Sequence, residues 1–246
     1  MAISTNSVIH YTDTLDNLKG ILQHGFRLKY CLEEWEFRKS ETQSLAYPMV
    51  SFCDIPLTEV TNHIDAYGGY GIGLTKNWAS SNGLNPVLYI DVDSNLAKCL
   101  DDQIQKIRKS KVKFSAAMAV SILQVLGYVK NYCGDLTRGD NTVKNYIFYN
   151  EREWRYVPEK KALGGKDSEL GADEYLNEKE KHNQNIGAIY LPFSPKDISY
   201  IIVEKDEDIR DIIPHIRYVY SDVCTATQLE ILLTRIHTIE NIKNDF

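Results

Sequence analysis

No stretch of the sequence approaches the roughly 20 consecutive apolar residues that a membrane-spanning helix needs. The N-terminal run Met1–Ser7 is polar and has no apolar leader core. A soluble, cytoplasmic protein is the expectation, with no membrane partner. Cysteine is sparse and scattered, at 31, 53, 99, 133 and 224, and no Cys-x-x-Cys pair occurs. No His stands at ligand spacing from another, so no metal site is expected. An odd, scattered thiol count suits a reducing compartment. Positive charge is short too. The formal net charge is −6, which implies no overall basic face for capturing nucleic acid. The local exception, Lys106 to Lys113, carries five cations in eight residues and reads as a solvated helix face. There is no Gly-x-Gly-x-x-Gly, no Gly-Lys-Ser/Thr, no Gly-x-Ser-x-Gly and no His-Glu-x-x-His. Those absences exclude the common dinucleotide-fold, P-loop, serine-hydrolase and zinc-protease readings.

What is present is enough apolar material for one large core or two small ones: 246 residues, 43% hydrophobic. Tyrosine outnumbers phenylalanine 16 to 7, which suits β-sheet positions first and polar clefts second. The pattern predicts a strand over 8–11 and a helix after a cap at Asp13 or Thr14, stopped at Gly25. Residues 26–47 read as a long loop or irregular helix. Further strands are expected over 49–53, 86–91, 144–158, 186–191 and 198–203. Helices are expected over 57–67, 77–81, 94–130 (whole or broken), 206–216 and 227–236. Residues 134–141 read as a polar turn, and 160–185 as an exposed, charged insertion. Strands and helices intersperse without strict alternation. The fold class is therefore α+β, a mixed or antiparallel sheet with flanking helices, over a single domain 1–246.

The most informative run is Asn150-Glu151-Arg152-Glu153-Trp154-Arg155. On a strand, Glu151, Glu153 and Arg155 share one face, about 7 Å apart per pair of residues. A ladder of surface ion pairs is one reading, worth little per pair; the aromatic flanks argue against a purely exposed strand. The other reading is chemical. One carboxylate supports a developing oxocarbenium ion by holding a sugar hydroxyl; the other orients a nucleophile. Glycoside hydrolysis needs its pair on opposite sides of a sugar, so cleavage of the N-glycosidic bond of NAD fits these positions better. His10, on the first strand, shares a face with Thr12.

Several segments together resemble one family. They are His10-Tyr11-Thr12 with Asn17-Leu18 and Ile21-Leu22-x-x-Gly25, and the block from Pro48 to Leu57. His63, Tyr67-Gly68-x-Tyr70-Gly71-Ile72-Gly73-Leu74-x-Lys76-x-Trp78 and Asn85 to Tyr89 follow. Glu151 to Tyr156 and Leu232 to Phe246 complete them. The chain resembles the AbiGi family of bacterial abortive-infection proteins, described as antitoxins of phage-resistance pairs. The order of features also resembles, more loosely, ADP-ribosyltransferase folds, including the DarT toxins with their opening His-x-Thr, helix and glycine. That second resemblance implies roles. His10, with Tyr11 and Thr12, would contact NAD; Ser51 would support the site; Tyr67 or Tyr70 would stack on nicotinamide. Glu153 would bind the ribose 2′-hydroxyl, and Glu151 would face a nucleic-acid or protein acceptor. The Ser-Thr-Ser triplet of such folds is absent, since Phe52 and Cys53 follow Ser51. A non-catalytic antitoxin or regulator that binds a partner toxin is the alternative the family description carries.

Overall fold

The structure is a computed structural model and describes residues 5–37, 42–59, 68–109, 116–138 and 141–245. It divides into two compact units. The first comprises Met1–Arg27, Val50–Leu84 and Ile189–Phe246, the second Leu28–Met49 and Asn85–Ala188.

The first unit is built on a mixed sheet ordered Ile236–Thr238, Ile198–Val203, Tyr70–Thr75, Ser7–Thr12 and the end of Gln43–Cys53. Ser7–Thr12 pairs antiparallel with Tyr70–Thr75 from Ser7↔Thr75 to Thr12↔Tyr70. Ile198–Val203 runs parallel to Ile236–Thr238. The glycine-rich run of the sequence is thus a strand, and packing explains its composition. A Cβ on Gly73 would fall 2.7 Å from the Tyr200 ring, so only glycine lets that ring lie across the sheet. Helix Leu15–His24 starts where Thr14 Oγ1 accepts the Asn17 N–H, and stops at Gly25, whose φ is 88°. Leu18 and Leu22 form its buried stripe. Helix Asp206–Tyr220 buries Ile212, Ile216 and Tyr220, and the Tyr220 hydroxyl donates to the Leu22 carbonyl at 2.7 Å. One core cluster of this unit joins Ile9, Tyr11, Ile55, Ile202, Ile239 and Ile242.

In the second unit, Lys29–Trp35 and the start of Gln43–Cys53 form an antiparallel pair from Lys29↔Met49 to Trp35↔Gln43. Glu153–Tyr156 pairs with Asn85–Pro86, and Leu88–Ile90 runs parallel to Val129–Asn131. Helices Asn95–Lys109 and Ala116–Leu126 agree with the broken helical period read over 94–130. Trp35, Phe37, Tyr47, Ile90, Leu126 and Val129 lie in its core, with the Trp35 indole N–H donating to the Val129 carbonyl at 2.9 Å.

Several expectations are corrected. Of residues 26–47, 38–41 lie outside the described residues, and the described ones are largely strand, not loop or irregular helix. Their charges concealed it, because Glu33 is met by a cation, Arg155, from a distant strand of the same unit. The described part of the turn expected over 134–141 is strand; residues 139 and 140 lie outside the described residues. Cys133–Arg138 and Asn141–Ile147 pair antiparallel, joined across by a Thr137–Thr142 hydroxyl contact and an Asp135–Lys144 ion pair. The segment 160–185 is not a bare loop. It forms helices Ala172–Asn177 and Lys179–Asn185, buries Leu163, Leu170 and Tyr175, and sends the Tyr175 hydroxyl to the Tyr30 carbonyl at 2.7 Å. The strand expected over 186–191 shrinks to Tyr190–Leu191. The last predicted helix ends at Leu233 and gives way to strand Ile236–Thr238. Leu57–Glu59 is a single 3-10 turn; the rest of the helix expected over 57–67, Tyr67 included, lies outside the described residues, as do 110–113 of the basic run. The α+β class with a mixed sheet is what the structure has.

Candidate functional site

The run Glu151 to Arg155 sits in the second unit and begins off-strand. Phe148–Glu151 is a 3-10 turn, and Arg152 follows in the left-handed region at φ 47°. Strand geometry starts only at Glu153. The kink preserves the expected alternation. Glu151, Glu153 and Arg155 are 2%, 5% and 0% exposed, while Arg152, Trp154 and Tyr156 are half-buried.

Burying three charges in one turn and strand requires partners, because an unpaired buried charge is costly. The partners are present. Arg155 Nε donates to Glu153 Oε1 at 2.7 Å and Nη2 to Oε2 at 3.0 Å, a bidentate fork. Nη2 also donates to Glu33 Oε2 at 2.8 Å, and Nη1 to the Gly127 carbonyl at 3.0 Å. Lys130 Nζ bridges the two carboxylates, 2.8 Å from Glu151 Oε2 and 3.0 Å from Glu153 Oε2. The same ammonium lies 4.8 Å from the Phe148 ring centroid. The Glu153 N–H donates to the Tyr89 hydroxyl at 2.8 Å.

Burial pushes the Glu33 carboxyl above the usual carboxylate range, against the pull of Arg155. The Lys130 and Arg155 cations are held more firmly than usual, since the attraction of Glu153 and its neighbours outweighs their desolvation. Nearby Cys31 is pushed up to about 11, first by burial and then by the Glu33 charge. Since the thiolate is the reactive form, iodoacetamide at pH 8 should label exposed Cys99 and Cys133 well before Cys31. Mass-spectrometric mapping that finds Cys31 modified at their rate would contradict this microenvironment.

An aromatic cluster adjoins the network. Tyr149 packs edge-on to Tyr89 at 5.4 Å and lies 5.9 Å from Tyr132, tilted by 32°. Tyr132 and Tyr149 are 40% and 53% exposed, as are Val143 (53%) and Ile147 (39%) on the neighbouring hairpin.

The other candidate residues belong to the first unit. His10 and Ser51 are brought together, but through the backbone: the imidazole Nδ1 meets the Ser51 carbonyl at 2.8 Å. A carbonyl only accepts, so that nitrogen carries the hydrogen. The ring packs edge-on to Phe26 and Phe52, at 5.1 and 5.6 Å. Tyr11 points the other way, into the core, where its hydroxyl has no hydrogen-bond partner among the described residues and burial raises its pKa. Thr12 Oγ1 donates to Asp13 at 3.4 Å. Tyr70 donates to Asp208 at 3.2 Å and Glu204 at 3.4 Å, and its phenol is pushed up to about 12, by burial first. Tyr70 thereby braces the start of helix Asp206–Tyr220, where Asp208 also accepts the Lys205 N–H.

Sequence reasoning missed Lys130, Glu33 and Tyr89. No local pattern marks them. Each is recognisable only as the complement that three buried charges must find. Among the described residues, no group of three or more His, Cys, Asp or Glu side chains is placed to hold a metal ion, and no helix is long and apolar enough to cross a membrane.

Comparison with known proteins adds two findings. A family model described as "Putative abortive phage resistance protein AbiGi, antitoxin" matches residues 25–204. A relative from Lactococcus lactis subsp. cremoris, "Abortive phage resistance protein AbiGi", is 26% identical over 220 residues, covering 81% of this chain and 88% of the relative. No solved structure matches the chain.

Proposed function

The chain belongs to the AbiGi family of abortive phage resistance proteins, and from that premise we propose that it is the antitoxin-type member of a phage-defence pair, acting by binding a partner protein. One observation carries the reading. Both carboxylates of the Glu-x-Glu run are buried and closed by Lys130 and Arg155, as in a clamp that holds a fold. An ADP-ribosyltransferase using NAD needs Glu153 to meet a ribose hydroxyl. Here that would require the carboxylate to leave a bidentate arginine first.

The second unit offers a surface suited to a protein partner. Tyr132 and Tyr149 are rigid, half-exposed rings, the type that dominates interface energetics. Val143 and Ile147, on strand Asn141–Ile147 of the neighbouring hairpin, are exposed apolar side chains of the same unit. Asp135 and Lys144 neutralise each other there, so no unpaired charge of that pair has to be desolvated on docking. The chain's net charge of −6 favours encounter with a basic partner.

The test is rescue of bacterial growth from the paired toxin, with direct binding measured alongside. Tyr132→Ser combined with Tyr149→Ser should weaken binding by roughly 30-fold or more, the cost of losing an aromatic hot spot. The melting curve should stay nearly in place, because both rings are half-exposed. Full rescue and unchanged affinity in the double variant would remove this surface from the account. Turnover of NAD by the wild-type chain would replace the antitoxin reading with the transferase one.

A further inference from the structure

The first unit contains a cleft of about 470 Å³ that plays no part in the reading above. Lys196 and Arg235 line it, with Gln228 beside them and an apolar wall of Val223, Ile231 and Leu232. Among the described residues, no carboxylate lines it. In a chain of net charge −6, two cations facing one cavity without an acid is an arrangement to explain. Among the described residues, neither cation makes an ion pair. Arg235 Nη1 donates to the Ile198 carbonyl, and the rest of its fork has no acceptor among the described residues. Among the described residues, the adjacent Asp197 makes no ion pair with either cation; its Oδ2 accepts the Ser194 N–H at 2.9 Å and the Ser194 hydroxyl at 2.5 Å. Gln228 uses its amide oxygen to accept the Thr225 N–H at 2.8 Å, which leaves its amide NH2 as a donor.

The wall is as informative as the charges. Val223 and Ile231 are 68% and 50% exposed, so the cleft couples bare apolar surface to bare positive charge. A free inorganic anion would use only the second. A ligand with an apolar body and an anionic end uses both. We propose that this cleft binds a small organic anion, a carboxylate or phosphate on an apolar body, with the charge on Lys196 and Arg235 and the body against Val223, Ile231 and Leu232.

The experiment uses the full chain and an aromatic sulfonate dye, 8-anilinonaphthalene-1-sulfonate, as the probe. One saturable site is expected by fluorescence titration. Octanoate and octyl phosphate should both displace the dye, and the tighter of the two identifies the headgroup. Octanol and inorganic phosphate should compete far more weakly. Lys196→Glu should raise the dye's dissociation constant by roughly tenfold or more, as loss of a charge-assisted contact does. Lys196 is exposed, so its melting curve should not move. Cys224 lines the same cleft and locates the binding. Saturating dye should protect it from iodoacetamide while exposed Cys99 and Cys133 react at unchanged rates. Equal binding of the uncharged N-phenyl-1-naphthylamine, or an unchanged constant in Lys196→Glu, would overturn the proposal. So would a Cys224 labelling rate that ignores bound dye.

Discussion

Arg155→Met should lower the melting temperature by roughly 6–20 °C, because stripping the cation from a buried ion network costs about 3–5 kcal/mol and about 2–4 °C accompanies each kcal/mol at this chain length. Arg155 is fully buried and is bound to Glu153, Glu33 and the Gly127 carbonyl. Methionine fills much the same volume but leaves two carboxylates with a lost counter-charge. Adding Glu153→Met should recover much of the loss, since an apolar pair of similar volume replaces buried ions at little cost. The pH dependence has a definite sign. Without Arg155, burial raises the folded-state pKa of Glu33 further above its unfolded value, in the direction it already takes. The folded state then holds protons the unfolded state has released, so stability falls as pH rises through that interval. The defect should therefore shrink on going from pH 7 toward pH 5. A shift of only a degree or two at pH 7, by calorimetry or circular dichroism, would contradict the clamp.

Glu153→Gln is the second large effect. The substitution keeps the shape of the side chain but removes the charge that Arg155 grips with two nitrogens and Lys130 with one. A loss of about 2–3 kcal/mol is expected in denaturant unfolding, the scale of hydrogen bonds to charged groups in a buried site. Glu151→Gln should cost less, about 1 kcal/mol, because its ion pair is with Lys130, whose side chain is 18% exposed. The order of the two separates the clamp from catalysis, in which both variants would fold like the parent and differ only in turnover.

The legible parts of this architecture were those governed by neighbours in sequence. Thr14 and Gly25 bound the first helix as their capping chemistry requires. The alternation of Glu151, Glu153 and Arg155 survives as burial, even though Glu151 stands on a turn and not on the strand. What local reasoning could not supply was the identity of the partners. Glu33 lies 122 positions from Arg155, and charge alone made its strand look like loop. Lys130 was assigned to the end of a helical period, whereas a short strand, Val129–Asn131, follows the end of helix Ala116–Leu126 and aims it at both carboxylates. The hairpin of Cys133–Arg138 with Asn141–Ile147 was hidden by polar residues that become cross-strand pairs only once the strands meet. For the first-strand residues, the resemblance implied an NAD contact for His10. Its ring lies against Phe26 and Phe52 with a backbone partner at Ser51, an environment set by two other strands.

The most direct measurement sets labelled NAD beside a melting curve. Wild type and Glu153→Gln are each incubated with NAD and a mixture of protein, DNA and RNA, and both are melted in the same buffer. The clamp account predicts no NAD consumption above the protein-free control for either chain, and a melting temperature clearly lower for Glu153→Gln. Consumption of NAD by the wild type that Glu153→Gln abolishes, with the two melting curves superimposed, would contradict it.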